Sequence, residues 1–140
     1  IYFGNRSGLN GSVIHSGDNT TGAGDGDDEV IKLSLEKIPR ECTHLFLTVN
    51  VYSSGKDFTD VDGEFVRVFN DDKKAPDYGK EFLRYGALDS HGKNSGVVLG
   101  CLFRDKQVPR RWEFKAISLG AAGRTSRDLV DECQDLQPGL

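Results

Sequence analysis

Apolar residues along this chain recur in short runs and alternations rather than with a helical period. The strongest strand prediction is 45–51, Leu-Phe-Leu-Thr-Val-Asn-Val, which is β-branched and aromatic and too short for a helix. Residues 65–69 alternate as Phe-Val-Arg-Val-Phe, and 81–85, 97–103 and 112–117 supply further runs. Nearer the start, 29–35 carries Val30, Leu33 and Leu35 in the pattern of a half-buried strand, and 12–15 reads as a strand edge. The apolar run 1–3 ends at the turn signal Gly4-Asn5. Turn-forming clusters separate the runs: Ser53-Ser54-Gly55, Asn70-Asp71-Asp72 and the Gly-, Asn- and Ser-containing stretch 89–96. Short strands at such intervals predict an all-β fold, an antiparallel β-sandwich or barrel. One helix is predicted, over 126–136, with Ser126 placed to cap it and Leu129, Val130 and Cys133 on one face. The fold class is therefore an antiparallel β-sandwich with a short C-terminal helix.

Composition narrows this picture without redirecting it. At 140 residues, 36% apolar and 29% charged, the chain fits one ordinary globular domain with a core of its own. No apolar run approaches the roughly 20 residues of a membrane span, so direct membrane insertion is not expected. A net charge of −4 argues against a nucleic-acid partner, which calls for clustered Lys and Arg. Cys42, Cys101 and Cys133 are odd in number and far apart, which fits reduced thiols in a cytoplasmic protein. The chain has no methionine and begins in mid-pattern, so a fragment or trimmed domain is expected.

The chemistry concentrates in one loop. Residues 17–29 read Gly-Asp-Asn-Thr-Thr-Gly-Ala-Gly-Asp-Gly-Asp-Asp-Glu. Asp25, Asp27, Asp28 and Glu29 set four carboxylates in five residues, with Asp18 and Asn19 upstream. Glycines at 22, 24 and 26 let the backbone turn its carbonyls inward. A hard cation such as Ca²⁺ takes six to eight oxygens from carboxylates, amides and backbone carbonyls, and this loop offers all three kinds with no nitrogen or sulfur donor. Magnesium, which keeps its waters and demands stricter geometry, fits less well. The competing reading is an inert, solvated acidic loop. Two features oppose it: the acidic run abuts the apolar strand at Glu29-Val30-Ile31, and mutual repulsion would destabilise an ordered loop unless a cation offset it. An EF-hand is excluded, since Thr20, Gly22 and Ala23 fall where two ligands and the obligatory glycine belong. A β-helix calcium repeat is excluded as well, because only one copy is present.

The run His15-Ser16-Gly17-Asp18-Asn19-Thr20-Thr21-Gly22-Ala23-Gly24-Asp25-Gly26-Asp27-Asp28-Glu29-Val30-Ile31-Lys32 closely resembles the signature of the TerD family of tellurite-resistance and stress-response proteins. The likeness continues in 45–51, in Glu64-Phe65-Val66-Arg67-Val68-Phe69-Asn70 and in Trp112-Glu113-Phe114-Lys115-Ala116-Ile117. It covers the chain to about residue 128, giving a TerD-like domain over 1–128 and a tail over 129–140. The resemblance implies a β-sandwich that binds calcium, one ion or two, with no established enzymatic activity; some members are described as binding cyclic nucleotides. By match to the motif the metal ligands are Asp18, Asn19, Thr21, Gly24, Asp25, Asp27, Asp28 and Glu29, some through backbone oxygen. The family's N-terminal half, with its Trp-Asp and Asp-x-Asp-x-Ser elements, has no counterpart here. If those aspartates complete the metal shell, this chain alone would bind weakly.

Other constellations weigh less. His15, His44 and His91 are scattered, none at metal-ligand spacing with a cysteine, and His15 is expected to pack or bond locally. No nucleophile and base can be paired from the sequence, so no enzyme is expected. Cys101 is expected in the core and Trp112 as an anchor of the sandwich. The sequence thus predicts a calcium-binding module whose ordered loop meets an unknown protein partner or small ligand. The alternatives are a metal-dependent sensor of a cyclic-nucleotide-like ligand and a metal-free scaffolding domain.

Overall fold

The computed structural model describes residues 1–2, 4–17, 27–60, 64–86 and 91–140. It is all-β with antiparallel sheets and one short helix near the C-terminus, as the pattern predicts. The chain divides into two compact units, residues 1–43 and 44–140.

The first unit is a three-stranded antiparallel sheet of β1 (Ser7–Gly8), β2 (Val13–His15) and β3 (Ile31–Leu33), in that order. Between β1 and β2 the chain reverses through Leu9, Asn10 and Gly11, all at positive φ, and the Ser12 hydroxyl donates to the Leu9 carbonyl at 2.7 Å. The strand period then sorts β2, with Val13 and His15 buried and Ile14 exposed. The predicted strand 29–35 is shorter than expected: after Leu33 the chain turns into a 3₁₀ segment, Leu35–Lys37.

The second unit holds β4 (His44–Asn50), β7 (Gly96–Arg104) and β8 (Trp112–Ala121) in the order β4-β7-β8, together with a hairpin of β5 (Val66–Phe69) and β6 (Glu81–Tyr85). Strand β7 runs down the middle, and its adjacent residues Val97 and Val98, both fully buried, serve opposite faces. Val97 packs with Phe58 and with Val66 and Tyr85 of the hairpin; Val98 packs with Ala121 and Leu129 and with Cys133 and Leu136 of the helix. The three-stranded sheet is therefore covered by a hairpin on one face and a helix on the other.

The registers contain one irregularity that matters below. Strand β4 pairs Leu47 with Gly100 and Thr48 with Val98, while β8 pairs Ala116 with Gly100 and Leu119 with Val98. Leu99 thus has no opposite number on either side, and on β8 the residues Ile117 and Ser118 together face it, a bulge of two against one. The Tyr85 hydroxyl, reaching in from the hairpin, donates to the Leu99 carbonyl at 2.8 Å.

The C-terminal helix is a 3₁₀ turn, Ser126–Leu129, running into α1 (Val130–Leu136). Its cap is Thr125 rather than the predicted Ser126. The Asp128 carboxylate accepts from the Thr125 amide at 2.9 Å and the Thr125 hydroxyl at 3.0 Å, so the pairing three residues on selects Thr125. Just before it, Arg124 Nη1 donates to the carbonyls of Val51, Ser53 and Lys56 at 3.0, 2.7 and 2.8 Å. Cys101 is fully buried, as expected. Trp112 is half-buried beneath the Arg104 guanidinium, 4.3 Å from the ring centre.

Candidate functional site

Strands β2 and β3 form the stem of the acidic loop. Their ladder pairs Val13 with Leu33, Ile14 with Lys32 and His15 with Ile31. One step further the Ser16 amide donates to the Val30 carbonyl at 2.8 Å, and the Val30 amide donates back to Ser16 Oγ at 2.9 Å. Both ends of the acidic stretch are thereby fastened to each other. Gly17 then leaves the ladder at φ +109, a backbone geometry that a side chain would strain.

His15 sits at this closure. Its position alternate to Val13 buries the ring to 8% exposure. Nδ1 accepts the Gly17 amide at 2.9 Å, which assigns the ring proton of the neutral form to Nε2. Nε2 in turn lies 3.5 Å from Glu29 Oε2. The imidazole so spans the loop's two ends, Gly17 where the chain leaves and Glu29 where it returns. The sequence predicts that His15 packs or bonds locally, as it does with Gly17, but does not reveal its grip on Glu29. The strand period next to the loop is the signal that points inward at position 15.

Of the eight predicted metal ligands, Asp18, Asn19, Thr21, Gly24 and Asp25 lie outside the described residues. Asp27, Asp28 and Glu29 lie at the loop's return end, Asp27 half-buried and the other two exposed. Among the described residues, no three His, Cys, Asp or Glu side chains converge on one point. The donors that are described offer oxygen only, the chemistry of a hard cation. The residues present fit calcium in donor type.

Comparison with known proteins decides the family. A model of the TerD domain matches residues 1–131. The chain belongs to the TerD domain family. It is 39% identical over 129 residues to tellurium resistance protein TerZ of Serratia marcescens, covering 92% of this chain and 61% of that one. It is 33% identical over 126 residues to tellurium resistance protein TerD of Alcaligenes sp, covering 88% and 62%. General stress protein 16U of Bacillus subtilis (strain 168) is 31% identical over 134 residues, covering 94% and 65%. This TerD domain thus spans somewhat under two thirds of the length of these relatives and belongs with tellurium-resistance and stress-response proteins. Among its described residues no helix is long and apolar enough to cross a membrane.

Proposed function

We propose that this TerD domain binds calcium, one ion or two, in the loop closed by β2 and β3. The ligands would come from Asp18, Asn19, Thr21, Gly24, Asp25, Asp27, Asp28 and Glu29. One observation carries the reading: the loop's two ends are tied by the Ser16–Val30 hydrogen bonds, and Glu29 is held from behind by buried His15. A tethered acidic loop bears its self-repulsion within a fixed span, whereas a free tail would spread and relieve it. Bound calcium supplies the positive charge that lets these carboxylates approach. His15 fixes the orientation of Glu29, and the stem excludes chain motions that would separate the ligands.

On this reading the domain is a binding module and the loop breaks no bonds. Ordering the loop presents a surface to a protein partner or a small anionic ligand, in a cytoplasmic setting that Cys42, Cys101 and Cys133, held as thiols outside any disulfide, favour. Calcium at 100 times its Kd would stabilise the domain by about 2.7 kcal/mol.

Calorimetric titration of calcium into this chain and into the triple variant Asp25→Ala, Asp27→Ala, Asp28→Ala tests the proposal. Binding in the first and its loss in the second are expected, with a calcium-dependent rise in melting temperature that chelator reverses. A loop that takes up no calcium, in this chain or in a full-length relative such as the TerZ protein, would leave the domain a metal-free scaffold.

A further inference from the structure

The bulge in β8 places a serine on a histidine. Ser118 and Ile117 together oppose Leu99, and Ser118 takes φ +56, the left-handed region that a residue with a side chain seldom enters. In that geometry Ser118 Oγ lies 2.9 Å from His91 Nε2. The two residues are 27 apart in sequence, so no local motif announces them. Both are half-buried, which leaves the pair open to a small reagent.

Three observations converge here. Bulges re-aim side chains and are frequent beside active sites. A non-glycine residue held in a strained conformation points to a role that offsets the strain. A hydroxyl within hydrogen-bond reach of an imidazole is the arrangement that activates a serine. The His91 main chain is also held in place, and Gly120 leaves room for its ring. The Asn94 amide and side-chain Nδ2 both donate to the His91 carbonyl, at 3.0 and 2.9 Å. At Gly120 a Cβ would lie 2.7 Å from His91 Nδ1 and 2.5 Å from Asn94 Nδ2, so only glycine lets these side chains lie against the strand.

We propose that Ser118 is a nucleophile and His91 its general base, and that the pair takes an acyl group from a small carboxylic ester. Ser118 Oγ attacks the ester carbonyl carbon while His91 Nε2, unprotonated with the ring proton on Nδ1, accepts the hydroxyl proton. The tetrahedral intermediate collapses, the carbon–oxygen bond to the leaving group breaks, and the alkoxide takes the proton from His91. Water, deprotonated by the same nitrogen, then attacks the acyl-serine, releasing the carboxylic acid and restoring the hydroxyl. Among the described residues no carboxylate is seen against His91, and the step needs only the serine and the imidazole. The pair lies in the unit of residues 44–140, apart in sequence from the acidic loop.

The test uses p-nitrophenyl acetate and the whole chain, with nitrophenolate release followed in solution and the acetyl group located by peptide mass. Ser118 should be the acetylated residue, and the rate should fall at least tenfold in both Ser118→Gly and His91→Gln. Glycine suits the backbone at position 118, so the Ser118→Gly variant should keep its melting temperature, and loss of reaction cannot be ascribed to unfolding. Acetylation absent from Ser118, or a rate in His91→Gln within tenfold of the parent, would overturn the proposal.

Discussion

Removing the Tyr85 hydroxyl tests how the bulge in β7 is held. Leu99 has no partner residue in either flanking ladder, and the hydroxyl donates to its carbonyl across 2.8 Å. Tyr85→Phe keeps the ring that packs with Phe58 and Val97, so the change isolates the hydrogen bond. A net hydrogen bond contributes about 1 kcal/mol, and a half-buried carbonyl left without this donor raises the loss to about 1.5 kcal/mol. The same residue adds a pH signature. Burial pushes the Tyr85 phenol from 10.0 up to about 12. The native state therefore keeps a proton that the unfolded chain has released, and stability falls as pH rises through that interval. At pH 11 the unfolded chain gains at most about 1.4 kcal/mol from ionising this phenol while the native state gains almost nothing. Urea denaturation of parent and variant at neutral pH and at pH 11 measures both effects. The parent should be more stable by about 1.5 kcal/mol at pH 7, and the difference should nearly vanish at pH 11. Contributions from the other three tyrosines are shared by both proteins and cancel. A difference below about 0.3 kcal/mol at pH 7, or one that does not change with pH, would refute the reasoning.

Other expectations are more compact. Leu129→Ala, at a fully buried position packed with Val98 and Ala121, should cost about 2–5 kcal/mol in chemical denaturation, with the helix frayed in circular dichroism. Burial, with a smaller push from Lys106, holds His44 below its ordinary 6.5, so the unfolded chain protonates first as pH falls. Stability should therefore be full above that value and decline below it; His44→Phe, which keeps the stack with Phe46 and Phe103, should flatten the decline in thermal melts. Removing the Asp128 carboxylate, held below its ordinary value first by the Thr125 amide and then by the Thr125 hydroxyl, should lower the melting temperature at neutral pH. That loss should disappear in acid, where the parent's carboxylate is itself protonated.

Strands were legible wherever burial on one or both faces wrote itself into the residues. Glu81–Tyr85 has the predicted bounds, its apolar Phe82, Leu83 and Tyr85 marking a short run. The run 97–103 was also plain, since β7 is covered on both faces and needs no polar alternation. What escaped depended on partners distant in sequence. The bulge at Leu99 arises from two registers at once, and nothing within nine residues of β7 encodes either. The helix cap moved by one residue because Asp128 rather than the apolar pattern chooses it. At the loop, the donor chemistry was readable from composition, whereas the grip of His15 on Glu29 needed the β2–β3 register. The pairing of Ser118 with His91 was out of reach for the same reason.

Arg124 has a consequence for the order in which the second unit is made. Its guanidinium fastens carbonyls that lie 73, 71 and 68 residues earlier. Strand β4 likewise waits for β7 to be paired at all. During synthesis the first strand of this unit must leave the ribosome and remain unfastened while most of the domain is still being translated. Such non-local closure slows folding and leaves an edge open to mispairing in the meantime. A chain that stops short of Arg124 would hold its strands without the latch, so its hazard would be aggregation as it is made.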